Sequence, residues 1–144
     1  MKDLWGFGKM SKTDINGTPH GILKLQSEFF EKKTDNMLYI RLETRKLNKN
    51  IDIEYGLATN FEIVAPQLDG YSYTLFTLFS KPERDYPVAI ELSISEKEEV
   101  DDLDYSLDYI CQSEDDFIQK LGEILSSENT IKVVKNLYSK SRIL

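Results

Sequence analysis

The chain has 144 residues, with 18 Lys plus Arg against 25 Asp plus Glu, one Cys and one His; that is one domain's length, enough to bury a real core. No apolar run approaches the roughly 18 residues of a membrane span, and one Cys cannot form an internal disulfide. The opening MKDLWGFGKM carries no apolar secretory core, so a cytoplasmic location is expected, and the length excludes a complete dinucleotide-binding or (β/α)8-barrel enzyme.

Residues 1–17 read as a partly ordered leader with Gly6, Gly8 and Gly17 and no clean periodicity. Trp5 and Phe7 would be odd in a disordered tail, so the leader is expected to pack down or to cover a partner. Thr18-Pro19 is an N-cap followed by proline at the first helical position. Ile22, Leu25 and Phe29, with Leu23 and Phe30 beside them, continue at helical spacing. The spacing predicts a helix from about Pro19 to Thr34, ended by the Asp35-Asn36 turn.

The period then changes from 3.6 to 2. Leu38, Ile40 and Leu42 alternate with Tyr39, Arg41 and Glu43, as in a half-buried strand. From Ile51 to Ala65 the odd positions carry Ile51, Ile53, Tyr55, Leu57, Thr59, Phe61, Ile63 and Ala65. That alternation outruns a usual strand, which predicts a bend or bulge near Gly56. Pro66 and Asp69-Gly70 supply a turn. A third strand, Tyr71 to Phe79, is apolar on nearly both faces and so belongs in the middle of the sheet. The segment SKPERDYP reads as a loop, and Val88, Ile90, Leu92 and Ile94 as a fourth strand. Tyr105, Leu107, Tyr109 and Cys111 suggest a short fifth.

Ser113 and Asp116 form a capping-box-like start, with Glu114 and Asp115 suited to the helix dipole. Phe117, Ile118, Leu121, Ile124 and Leu125 make one apolar stripe. The SSEN stretch breaks this helix and caps another, faced by Ile131, Val134, Leu137 and Tyr138. The expected architecture is α+β: residues 18–144 form a single domain with an N-terminal helix, a four- to five-stranded antiparallel meander and two C-terminal helices packed on one face of the sheet.

Charge is uneven. Between Glu96 and Asp116 there are ten acids and one base, a net −9, so the rest of the chain sums to +2. From Asn129 to Leu144 there are four bases and no acid. The acidic segment repels phosphate, so direct nucleic-acid binding through it is not expected.

The chain offers little catalytic chemistry. A Cys–His dyad would need Cys111 and His20, and no motif brings them together; they read as a small buried thiol and a surface imidazole. Structural zinc wants four Cys or His ligands, and this chain has two. Asp102, Asp104, Ser106 and Asp108 imitate a calcium loop, but Leu107 stands where glycine is needed and Ser113 where glutamate is. No GxGxxG, GxxxxGK[ST] or GxSxG occurs. No cofactor and no metal are implied.

What remains is recognition. Tyr71, Arg84 and Tyr86 sit at expected turns and are candidate contact anchors. Glu98, Glu99, Asp101, Asp102 and Asp104 are candidate contacts in the acidic segment. The sequence therefore points to a non-catalytic protein-interaction module, an adaptor, inhibitor or immunity-type protein, with a protein partner and with a homodimer compatible. The alternatives are an acidic nucleic-acid mimic that inhibits a DNA- or RNA-acting protein, and a domain that sequesters a small ligand.

Overall fold

In the computed structural model, which describes residues 1–48, 54–93 and 107–144, helix α1 spans Pro19–Lys33. The Thr18 side chain accepts the Gly21 N–H at 3.1 Å. Pro19 loses nothing at the first position, because an N–H there has no partner within the helix. Lys32 and Lys33 stand in the last turn, where the dipole favours cations. The chain then reverses through Asp35 and Asn36, at φ of 50° and 61°, a region these short polar residues enter more readily than others.

Among the described residues five strands follow: β1 Tyr39–Lys46, β2 Leu57–Ala65, β3 Tyr71–Lys81, β4 Arg84–Leu92 and β5 Tyr109–Cys111. They lie in chain order, every pair antiparallel. Helices α2, Glu114–Leu125, and α3, Glu128–Arg142, complete an α+β fold. Among the described residues no helix is long and apolar enough to cross a membrane.

Residues opposite one another in an antiparallel pair share a face, so the register separates two chemistries. One face carries Ile40 opposite Ile63, Phe61 opposite Phe76, Leu78 opposite Ile90, and Val88 opposite Cys111. Phe61 and Phe76 stack there at 4.8 Å between ring centroids. The other face carries Arg41 opposite Glu62 and Asn60 opposite Thr77, joined by an Arg41 Nε to Glu62 Oε2 bond of 2.7 Å and a Thr77 to Asn60 bond of 2.9 Å. Leu23 of α1, Phe117, Leu121 and Ile124 of α2, and Leu137 of α3 belong to the same buried cluster as the first set. α1 lies against β1, α2 against β5, and α3 against β2 and the Pro66–Leu68 turn.

The structure departs from the sequence pattern in a few places. The expected bend falls at Gly56, just before β2 begins, and a separate irregularity in the pairing of β2 with β3 lies between Phe61 and Glu62. Phe61 pairs with Phe76 and Glu62 with Thr74, so Leu75 is an extra residue in β3. That bulge lets two consecutive apolar side chains, Leu75 and Phe76, both enter the core. Ile51 and Ile53 lie outside the described residues.

The segment expected as a loop over Ser80–Pro87 is mostly strand. β3 runs to Lys81 and β4 starts at Arg84, leaving Pro82 and Glu83 as the turn. The sheet accommodates Pro87 where pairing to β3 is interrupted, between the Phe79–Ala89 and Lys81–Arg84 partners. In the C-terminal helices, Ile118 and Ile131 stand exposed, outside their expected stripes. α2 buries Phe117, Leu121 and Ile124, and α3 buries Thr130, Leu137 and Ser141. The start of α2 is only half a capping box: Ser113 accepts the Asp116 N–H at 3.2 Å, but Asp116 accepts from the Gln112 N–H instead of from Ser113.

Candidate functional site

Both surfaces with functional character adjoin the first turns of α1. On one side is the leader. A 3-10 turn at Lys12–Ile15 runs into Asn16 and Gly17, the glycine at φ +80°. Thr18 ties this segment to the helix, donating both its N–H and its hydroxyl to the Ile15 carbonyl, at 3.2 and 2.6 Å. Gly21 is what allows the close approach: a Cβ built there would overlap the Ile15 carbonyl oxygen. The seam opens into a groove of about 430 Å³ whose lining includes Ile15, Gly21, Ile22, Leu25 and Glu28.

Ahead of this anchor the leader presents apolar side chains to solvent. Leu4 is 81% exposed and Trp5 75%, with Phe7 and Met10 exposed beside them. The Trp5 and Phe7 rings touch each other at 5.6 Å between centroids. Ile15, Leu25 and Phe29 add exposed apolar surface on the neighbouring turn and helix. Acids stand nearby: a Cβ at Gly17 would lie 3.5 Å from Glu114 Oε1, which puts the acidic first turn of α2 (Glu114, Asp115, Asp116) at the foot of the leader.

On the other side, the N-terminus of α1 faces the β3–β4 hairpin across a cleft of about 120 Å³, lined in part by Pro19, His20, Ser80, Lys81, Arg84 and Asp85. His20, expected as a surface imidazole, is half-buried here. Its Nε2 lies 2.9 Å from the Thr59 hydroxyl, which lies 2.8 Å from that of Thr44. Burial lowers the His20 pKa below its usual value, with the Asp85 carboxylate opposing that effect. Burial therefore favours the neutral imidazole. Lys81 is held by Glu54 at 3.4 Å and lies over the Tyr55 ring. Ser80 is 3% exposed, and its hydroxyl has no partner among the described residues.

The residues singled out from sequence fall in separate places. Tyr71 opens β3 after the Asp69-Gly70 turn and is 51% exposed. Arg84 is exposed at the first position of β4. Tyr86, two residues on, packs against the core with its hydroxyl buried and without a partner among the described residues, and that burial pushes its pKa up to about 12. Cys111 is fully buried in β5, and burial raises its thiol's pKa too. Glu98, Glu99, Asp101, Asp102 and Asp104 lie outside the described residues. Among the described residues there is no cluster of three or more His, Cys, Asp or Glu arranged to hold a metal.

Sequence reading passed over the His20–Thr59–Ser80 grouping because its members come from α1, β2 and β3 with no local motif. Only the odd-position alternation of β2 hinted that Thr59 shares the face of Phe61. No family model matches the chain, and no curated protein or solved structure matches it either.

Proposed function

We propose that the chain is a non-catalytic protein-interaction module of adaptor, inhibitor or immunity type that docks a protein partner through its leader, with the neighbouring acids as a rim. The observation that carries the reading is the exposure of Leu4, Trp5, Phe7 and Met10 within ten residues. Exposed apolar side chains normally stand singly on a folded surface, and clusters of them mark contact sites. Aromatic residues that insert into a pocket dominate binding energy, while the charged rim governs encounter rate.

In this reading the three helices pack on the apolar face of the sheet, so the leader is free for an external contact. The partner offers an apolar pocket bordered by Lys or Arg, complementary to Glu114, Asp115 and Asp116. Glu98, Glu99, Asp101, Asp102 and Asp104 extend the same charge in sequence. Exposed Tyr71 is a secondary anchor, and the setting is the cytoplasm.

Native mass spectrometry on protein gently purified from its own cells tests the proposal. The expected result is a second polypeptide at fixed stoichiometry, lost in a Trp5→Ala/Phe7→Ala double variant and released progressively as ionic strength rises. A partner that the double variant retains at wild-type stoichiometry would overturn the leader as the docking element.

A further inference from the structure

The edge of the sheet at β1 is separate from the leader and carries its own pattern. β1 stands at one end of the strand order and pairs on one side only, with β2. It runs eight residues, Tyr39–Lys46, with no proline and no register shift, longer than a usual strand. Natural sheets keep such edges short, bulged or covered, because unpaired N–H and C=O groups recruit a further strand. The opposite edge obeys that rule, since β5 has three residues. Among the described residues no backbone group outside β2 bonds to β1.

The ladder shows which groups point outward. The Leu47 N–H donates to the Gly56 carbonyl at 2.9 Å, one step beyond the Lys46–Leu57 partners. Bonded and non-bonded pairs alternate along an antiparallel ladder. Arg41, Glu43 and Arg45 therefore exchange bonds with β2, while Ile40, Leu42 and Thr44 turn their N–H and C=O groups outward. The side chains add a charge pattern. Arg41 gives its Nε to Glu62 but remains 44% exposed, and its Nη groups make no bond among the described residues. Glu43, two residues on and exposed, has no ion pair among the described residues.

We propose that β1 pairs antiparallel with β1 of a second copy of this chain, across a two-fold axis at Leu42, joining the two sheets into one. In that register Leu42 meets Leu42 and Ile40 meets Thr44, and each of these pairs exchanges both backbone bonds. Arg41 stands opposite Glu43 of the second copy, and the two-fold makes that contact twice. Tyr39, 37% exposed, meets Arg45, a ring against a guanidinium. Neighbouring registers fail on charge or packing. Centring on Glu43 sets Glu43 against itself and Arg41 against Arg45. Centring on Arg41 opposes two arginines, and centring on Thr44 puts Leu42 against Lys46. The charges that repel an arbitrary strand are thus self-complementary, which selects a second copy as the occupant.

Sedimentation velocity of the intact chain over a concentration series, with hydrogen exchange followed by nuclear magnetic resonance, tests this. A reversible dimer is expected. The Ile40, Leu42 and Thr44 amides should exchange fast at low concentration and about tenfold or more slower as the dimer fills. The Arg41, Glu43 and Arg45 amides should stay protected throughout. Thr44→Pro removes an outward N–H and the hydroxyl contact with Thr59, but no backbone bond to β2, and should leave a folded monomer. Glu43→Lys turns both attractive contacts into repulsive ones and should weaken the dimer about tenfold or more. Mixing Glu43→Lys with Arg41→Glu sets opposite charges at both contacts again, so the mixture should form a heterodimer tighter than either homodimer. If Arg41→Glu unfolds without its bond to Glu62, the Glu43→Lys result decides by itself. The Trp5→Ala/Phe7→Ala variant should dimerise like wild type, which keeps this edge distinct from the leader. A monomer at every concentration, a dimer unchanged by Glu43→Lys, or one lost in the leader variant would overturn the proposal. So would outer-edge amides that become protected only in complex with a different protein.

Discussion

Two glycines lie inside helices, and the structure assigns opposite signs to their replacement by alanine. Alanine in a helix interior is favoured over glycine by about 1 kcal/mol. At Gly122 in α2 nothing lies within 4 Å of an added Cβ, so Gly122→Ala should stabilise by roughly 0.5–1 kcal/mol. At Gly21 the added Cβ overlaps the Ile15 carbonyl oxygen and falls 3.0 Å from the Thr18 Oγ1. That carbonyl cannot simply retreat, because Thr18 donates to it twice and its hydroxyl also caps the helix. Relief therefore costs hydrogen bonds worth about 0.5–1.5 kcal/mol each and a cap worth about 1 kcal/mol. Against the propensity gain, the net is a destabilisation of about 1–3 kcal/mol. Near this chain length each kcal/mol moves the Tm by roughly 2–4 °C, so Gly21→Ala should melt about 2–12 °C below wild type while Gly122→Ala melts above it. Urea unfolding with an unchanged m-value checks that the shift is one of stability. If both variants stabilise, the leader is not seated on α1 as described.

Three further outcomes follow from the same structure. Thr59→Val removes a fully buried hydroxyl that bonds both His20 and Thr44; it should cost about 1–3 kcal/mol in chemical denaturation, and a neutral result would show the hydroxyl chain to be idle. His20 has a lowered pKa in the fold, so between that value and the usual 6.5 the unfolded chain binds more protons; stability due to this group is complete above pH 6.5 and declines as pH falls through that window. A His20→Asn variant should flatten that part of the stability–pH profile, and an identical profile would contradict the assignment. Phe117→Ala, at a fully buried residue of α2 in the common cluster, should destabilise by about 3–5 kcal/mol; a loss under 1 kcal/mol in urea unfolding would mean that α2 does not share the sheet's core.

Periodicity made the elements legible, and long-range pairing decided the rest. α1 was readable because its cap, its proline, its apolar spacing and the Asp35-Asn36 turn are all local signals, and the structure ends it at Lys33, with Thr34 as the C-cap. Leu75 and Phe76 could not be resolved by alternation, since a bulge is set by the partner strand and not by the strand's own sequence. The β3–β4 turn was misread as a long loop because Pro82 and Pro87 are strong punctuation, yet the second falls where the ladder is already interrupted. Tyr86 was legible as an aromatic near a turn, but not as one whose hydroxyl is buried. The leader's apolar content was plain in WGF, whereas its seating against α1 depends on the contact at Gly21, invisible to any pattern. His20 and Ser80 lie sixty residues apart, so only the folded register brings them to one cleft.

Trp5 is the chain's only tryptophan and lies in the leader, so its fluorescence reports on the proposed docking element with no labelling. The direct measurement is Trp5 emission and acrylamide quenching, first in the isolated chain and then in the complex recovered under native conditions. The account predicts a solvent-exposed, readily quenched indole in the isolated chain, and blue-shifted emission protected from acrylamide in the complex. An indole already protected in the isolated chain, or equally exposed in both samples, would contradict docking through the leader.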